Sequence, residues 1–300
     1  VNAAAQTGYV PPPGPPEPPP ARPWPRWLIA ATVAWAVLLA ALTWISAGGD
    51  EPTVREQRTL AEAAPVVDRA VGAVLGAAGA EPVVLLGPDR LDPGCRVTPF
   101  VEGATLVRAV EIVVPGDQAR PLLERIAAGL PAEYQARVRV SDRGARLSAD
   151  AGEFVTVTGE FVDANGEPVT AADGPDAPGR VRVSADTGCR PLGGYQQLAA
   201  PPAGPEVDAL SRALAALGRP ASTPPELLMT TCPGGDRRAR TVRVSTDPPA
   251  DPAAARPASA GALLLDTPDG YAYRSGPVTV LVDHSNARLH LAATTPCPAP

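Results

Sequence analysis

Only two histidines occur in the 300 residues, His284 and His290, and that scarcity limits the acid–base and metal chemistry open to the chain. Asp283-His284-Ser285 spells the letters of a hydrolase triad. A triad needs its members to converge in space, whereas neighbours in sequence point different ways. With Asn286 behind them, these residues read as an ordinary turn between two strands. His290 alternates with Leu289 and Leu291, so it is expected to face water. Standing six positions apart, the two histidines fit neither the i, i+4 pair of a zinc helix nor a close strand pair with a third ligand.

Carboxylates are the remaining candidates for acid–base work. Glu102, Glu111, Glu153 and Glu160 are available, without any spacing that pairs them. Asp163, Asn165 and Glu167 around Gly166 suggest a cation loop, but the downstream glutamate of a calcium loop is missing and a tight turn is expected instead. The chain has no G-x-S-x-G elbow and no phosphate-cradling glycine loop. The arginines of strands 137–146 and 237–243 could form a basic face for a carboxylate or an anionic polymer, although the wet faces of strands carry such charges routinely. No catalytic residue, metal ligand or cofactor is therefore assigned.

The four cysteines, Cys95, Cys189, Cys232 and Cys297, are widely spaced, even in number and free of any C-x-x-C pair. That pattern suits two disulfides in an oxidising compartment better than a zinc site or a redox dithiol.

All four cysteines follow one apolar stretch, Trp27 to Ala47, inside a run without charge between Arg26 and Asp50. A helix of roughly 20 residues spans the ~30 Å hydrocarbon layer, so a transmembrane helix is expected over 27–47. Trp24, Trp27 and Trp44 fall near its ends, where an indole keeps its ring in the interface, and Arg26 flanks it. Arg22 and Arg26 precede the span whereas Asp50 and Glu51 follow it; the positive-inside rule puts the N-terminus in the cytoplasm and the bulk outside. A cleaved signal peptide would have a shorter apolar core, about 7–15 residues. Residues 1–26, with ten prolines from Pro11 to Pro25, are expected to be a disordered cytoplasmic tail.

Beyond the span, Thr53 and Glu56 suggest a capping box for a helix of about 25 residues that Pro65 should kink or split. Gly72, Gly76 and Gly79 thin one side of it. Strands are expected at 82–87 and 105–114, a helix at 118–130 capped by Asp117, and half-wet strands at 136–141, 154–162 and 180–185. The order then recurs in shorter form: a helix from Pro205 to Gly218 and strands at 226–232, 239–245, 262–266, 277–283 and 287–293. In each copy one cysteine lies near the first strand pair and the other just after the last strand, which predicts Cys95–Cys189 and Cys232–Cys297.

The expected fold class is α+β: a single transmembrane helix followed by two tandem small units, 52–200 and 205–300. Each reads as helix-β-β-(helix)-β-β-β with a mostly antiparallel sheet and one disulfide. Residues 1–47 carry +1 against −6 for the whole chain, so the remainder carries −7. An acidic outer part without a basic stripe argues against nucleic acid as a partner. These readings point to a single-pass protein of the plasma membrane whose partners are the bilayer, through its helix, and an envelope protein or wall polymer. Its expected role is non-catalytic binding; the alternatives are an extracytoplasmic hydrolase using carboxylates and an accessory subunit of an envelope signalling complex.

Overall fold

The computed structural model describes residues 14, 26–47, 58–141, 144–163, 165–169, 179–197, 201–247, 263–267, 270–285 and 288–298. The proline-rich tail apart from Gly14, Trp24 within it, and the Thr53–Glu56 box lie outside these residues. Contacts divide the chain into Val1–Thr53 and Val54–Pro300.

In the first unit, helix α1 spans Arg26–Ala47. Its Arg26–Thr43 window has a mean hydropathy of 1.7, long and apolar enough to cross a membrane. Two of its hydroxyls are satisfied within the helix. Thr32 and Thr43 donate their hydroxyls to the carbonyls of Leu28 (3.0 Å) and Leu39 (2.7 Å), one turn back along the helix. Arg26 and Trp27 occupy the exposed N-terminal end, and Trp44 lies in the last turns. An N-terminal apolar helix, whether signal or anchor, together with two disulfides places the protein in the secretory pathway.

The second unit opens with α2, Leu60–Ala78. It begins later than expected, at a second T-x-x-E: the Glu62 carboxylate accepts the backbone N–H of Thr59 (2.8 Å) and its hydroxyl (2.9 Å). Pro65 does not split the helix. Its ring lies on the exposed side, where solvent replaces the missing hydrogen bond. The first sheet contains β1 (Val83–Leu86), β2 (Arg90–Thr98), β3 (Val101–Val114), β4 (Arg137–Ser141), β5 (Gly144–Asp150), β6 (Thr156–Val162) and β7 (Gly179–Asp186). Helix α3, Ala119–Gly129, enters through a 3-10 turn at Gly116–Gln118 rather than from an Asp117 cap. Helix α4 (Pro205–Leu217) precedes the second sheet: β8 (Glu226–Thr231), β9 (Arg238–Thr246), β10 (Leu263–Thr267), β11 (Gly270–Ser275), β12 (Val278–Ser285) and β13 (Arg288–Thr295).

Every named strand pair is antiparallel. The first sheet runs β1-β3-β7-β6-β5-β4, with β2 beside β3, and the second runs β8-β9-β13-β12-β11-β10. Strand for strand, the two paths are the same. The disulfides, Cys95–Cys189 and Cys232–Cys297, occupy corresponding places, each reaching the segment just after the strand at the centre of the path.

Three strands escape a reading by periodicity. β2 holds Pro93 and Gly94 and its register shifts twice, which breaks the alternation; it is tolerated as an outer strand paired with β3. β5 and β11 are short, rich in small or polar residues, and follow their partners after two residues. Pro268-Asp269-Gly270 was the available turn signal for β11.

Each sheet buries one face under helices. Val67, Val71 and Val74 of α2 and Leu122, Leu123 and Ile126 of α3 pack on Val110, Ile112, Val181 and Val183. Ala209, Leu210, Ala213 and Leu217 of α4 pack on Val242, Val280, Val282, Leu289 and Leu291. Helix α2 also touches the second sheet. Cys232, Ala239 and Cys297 join its core, a Cβ on Gly72 would overlap the Thr231 carbonyl, and Gly76 faces the Pro233 ring. The hydroxyl of Thr230 donates to the Asp68 carboxylate (2.9 Å), across 162 positions of sequence.

Candidate functional site

Alternation gives each strand a second face, and here the second faces of the two sheets meet. Val83 and Val113 of the first sheet pack against Ala272 and Leu281 of the second. The Leu86 N–H donates to the hydroxyl of Thr241 (3.1 Å), which is also hydrogen-bonded to that of Thr294 (2.9 Å). Beside this contact the sheets part to leave a cavity of about 270 Å³. Its polar lining comes from both: Glu111 of β3, Arg180 and Arg182 of β7, Arg243 of β9, Asp283 of β12 and His290 of β13.

Register explains the convergence. Glu111 lies opposite Arg182 across β3 and β7, and Asp283 lies opposite His290 across β12 and β13. The Arg180 guanidinium bridges the sheets: one Nη meets Glu111 at 3.2 Å and the other meets Asp283 at 2.9 Å. Its side chain is 8% exposed, and that of Asp283 is 10% exposed. Arg182 donates to Glu111 (2.8 Å) and to the carbonyl of Gly166 (2.8 Å), which ties the 163–167 turn to the cavity rim. Two polar groups remain without a bond. The Nε of Arg180 is buried and has no hydrogen-bond partner, and the guanidinium of Arg243 forms no hydrogen bond or ion pair with another described residue.

The environments move the two carboxyls in opposite directions. Burial pushes Glu111 upward, but the Arg182 hydrogen bond and the charges of Arg180, Arg182 and Arg243 prevail and hold its pKa below the usual range. At Asp283 burial prevails over the opposing pull of Arg180 and His290, so its pKa lies above the usual range.

The residues singled out from sequence are distributed as follows. Asp283 and His284 belong to β12 rather than to a turn; Asp283 points inward and His284 is exposed, so these two side chains do not converge. His290 is not on a wet face. It is half-buried on the cavity wall, because the first sheet covers the face that alternation alone assigns to water. The same covering makes Arg180 a buried residue of a strand expected to be half wet. Glu102 is exposed, Glu153 pairs with Arg58 (3.0 Å) and Glu160 pairs with Arg146 (2.7 Å). Of the four glutamates only Glu111 lines the cavity. Asp163 accepts the N–H groups of Asn165 and Glu167, both at 2.8 Å, and Gly166 has a φ of 82°, so this segment is a turn. Among the described residues no group of His, Cys, Asp and Glu could hold a metal ion.

The arginines of 137–146 and 237–243 do not share one face. Arg139 is exposed on β4, Arg240 lies beside Glu206 at 3.8 Å, and Arg243 lines the cavity. No family model matches this chain, and neither a curated protein nor a solved structure matches it.

Proposed function

We propose that this is a single-pass membrane protein of the cell envelope, with a cytoplasmic N-terminus and an extracytoplasmic part that binds a ligand without transforming it. Arg22 and Arg26 before the apolar helix and Asp50 and Glu51 after it support the orientation. The matching strand paths and disulfide positions support a tandem duplication, one copy per sheet, that has fused through α2. One observation carries the non-catalytic reading: the converging carboxylates, Glu111 and Asp283, are both committed to Arg180. A general acid or base must be within reach of the proton it moves and free to move it.

The runner-up is a hydrolase using these two carboxyls, favoured by their oppositely shifted pKa values. Incubating the full chain in nanodiscs with fragments of cell-wall polymer, then weighing the fragments by mass spectrometry, separates the two. Retention of fragments at unchanged mass supports binding, and shortened fragments overturn it. Protease treatment of intact cells tests orientation: the tail should survive while the region after α1 is digested.

A further inference from the structure

From the cavity between the sheets we infer a binding site for a small monocarboxylic acid with an apolar body. The inference rests on reading that cavity as a binding site and names the class of ligand it would take.

Charge comes first. Arg180, Arg182 and Arg243 face Glu111 and Asp283 there, so with His290 counted as neutral three positive groups against two negative ones leave +1. That surplus lies within a chain whose net charge is −6. A single negative charge completes the cavity, whereas a dianion would meet two fixed carboxylates. Unfilled hydrogen-bonding capacity comes second. Arg180 is enclosed, yet its Nε–H has no acceptor, and a buried guanidinium donor left unpaired costs stability unless something arrives to accept it. Arg243, half-buried on the same wall, holds its whole guanidinium fork unbonded to other described residues. A planar carboxylate matches that fork with two parallel N–H···O bonds.

Size and polarity define the rest of the ligand. At about 270 Å³ the cavity lies just below the roughly 300–1,000 Å³ of most small-molecule sites. Leu85, Pro88, Leu281 and Ala292 line it beside the charges, a small surface suited to a short hydrocarbon body. A polymer or a folded protein does not fit inside, so this occupant is separate from any macromolecule bound elsewhere.

Butyrate is the probe. The full chain in nanodiscs of deuterated lipid is titrated with butyrate and followed by saturation-transfer NMR against empty nanodiscs. Saturation of the butyrate methylenes is expected. Arg243→Gln should weaken binding at least tenfold, Arg139→Gln on exposed β4 should leave it unchanged, and the uncharged isostere butyramide should fail to compete. Far-UV circular dichroism and intact disulfides establish that the variants fold. Three results overturn the inference: no saturation in the folded wild-type chain, equal binding by Arg243→Gln, or displacement of butyrate by inorganic phosphate at a lower concentration than by acetate, which would assign a tetrahedral oxyanion. Its failure leaves polymer binding untouched, whereas shortened wall fragments would overturn the non-catalytic reading without altering butyrate binding.

Discussion

Replacing Arg180 by methionine removes a side chain that ion-pairs the two sheets. The side chain is 8% exposed and meets Glu111 and Asp283 at 3.2 and 2.9 Å. After the substitution Glu111 keeps Arg182, but Asp283, 10% exposed, loses its 2.9 Å ion pair with Arg180. Breaking a buried pair by removing one partner costs about 3–5 kcal/mol, most of it the penalty of the charge left behind. Arg180→Met should therefore lower unfolding free energy by about that amount. Removing the stranded carboxyl as well, in Arg180→Met/Asp283→Leu, should restore most of the loss, because a buried pair replaced by apolar residues is often neutral. Urea denaturation followed by far-UV circular dichroism reads both variants. Tryptophan emission cannot, since Trp24, Trp27, Trp35 and Trp44 all lie in or beside α1. A loss under about 1 kcal/mol, the value of an exposed pair, would refute the reasoning. So would a double variant no more stable than the single one.

Glu111, with a depressed folded pKa, contributes stability that is complete above its unfolded value of about 4.3 and is lost as pH falls through the folded value. Glu111→Gln should therefore flatten the acid limb of a melting-temperature profile between pH 3 and 7, while an unchanged limb would remove Glu111 from the account. Asp283, with a raised pKa, acts with the opposite sign: its ionisation opposes folding at neutral pH, and that opposition is relieved as pH falls through the raised value. Gly72→Ala pushes a methyl group into the Thr231 backbone and should cost about 1–3 kcal/mol by urea denaturation, as overpacking does. His284→Ala, at an exposed position of β12, should change stability by less than about 0.5 kcal/mol in the same assay.

How far the residues announced this structure varies from element to element. Val/Arg and Val/Thr alternation located β4, β6 and β7, and the spacing of cysteines located both bridges, because these are local or pairwise signals. Alternation says that a strand has two faces; it does not say what covers the second. Arg180 and His290 were therefore assigned to water when another sheet encloses them. Nothing in the local sequence of Arg180 reports that Asp283, about a hundred residues later, supplies its counter-charge. Bulged β2 was hidden for a different reason, since two register shifts erase the period that would have revealed it.

Helix α2 has a consequence for the order in which the chain can fold. Its Gly72–Gly76 side and the Asp68 carboxylate find their partners in residues 230–233, so an element near the beginning waits for one 162 positions later. Chain that emerges in order from its N-terminal side would form the first sheet around α2 while that small-residue groove stays open. Contacts of such sequence separation are slow to form, because loop closure precedes any gain from them. During that interval the half-built molecule presents an apolar seam, and pairing of Cys95 or Cys189 with the wrong later cysteine is the hazard such an interval creates. Rapid closure of the Cys95–Cys189 loop before Cys232 emerges would remove that hazard, and the 42 residues between Cys189 and Cys232 give the time for it.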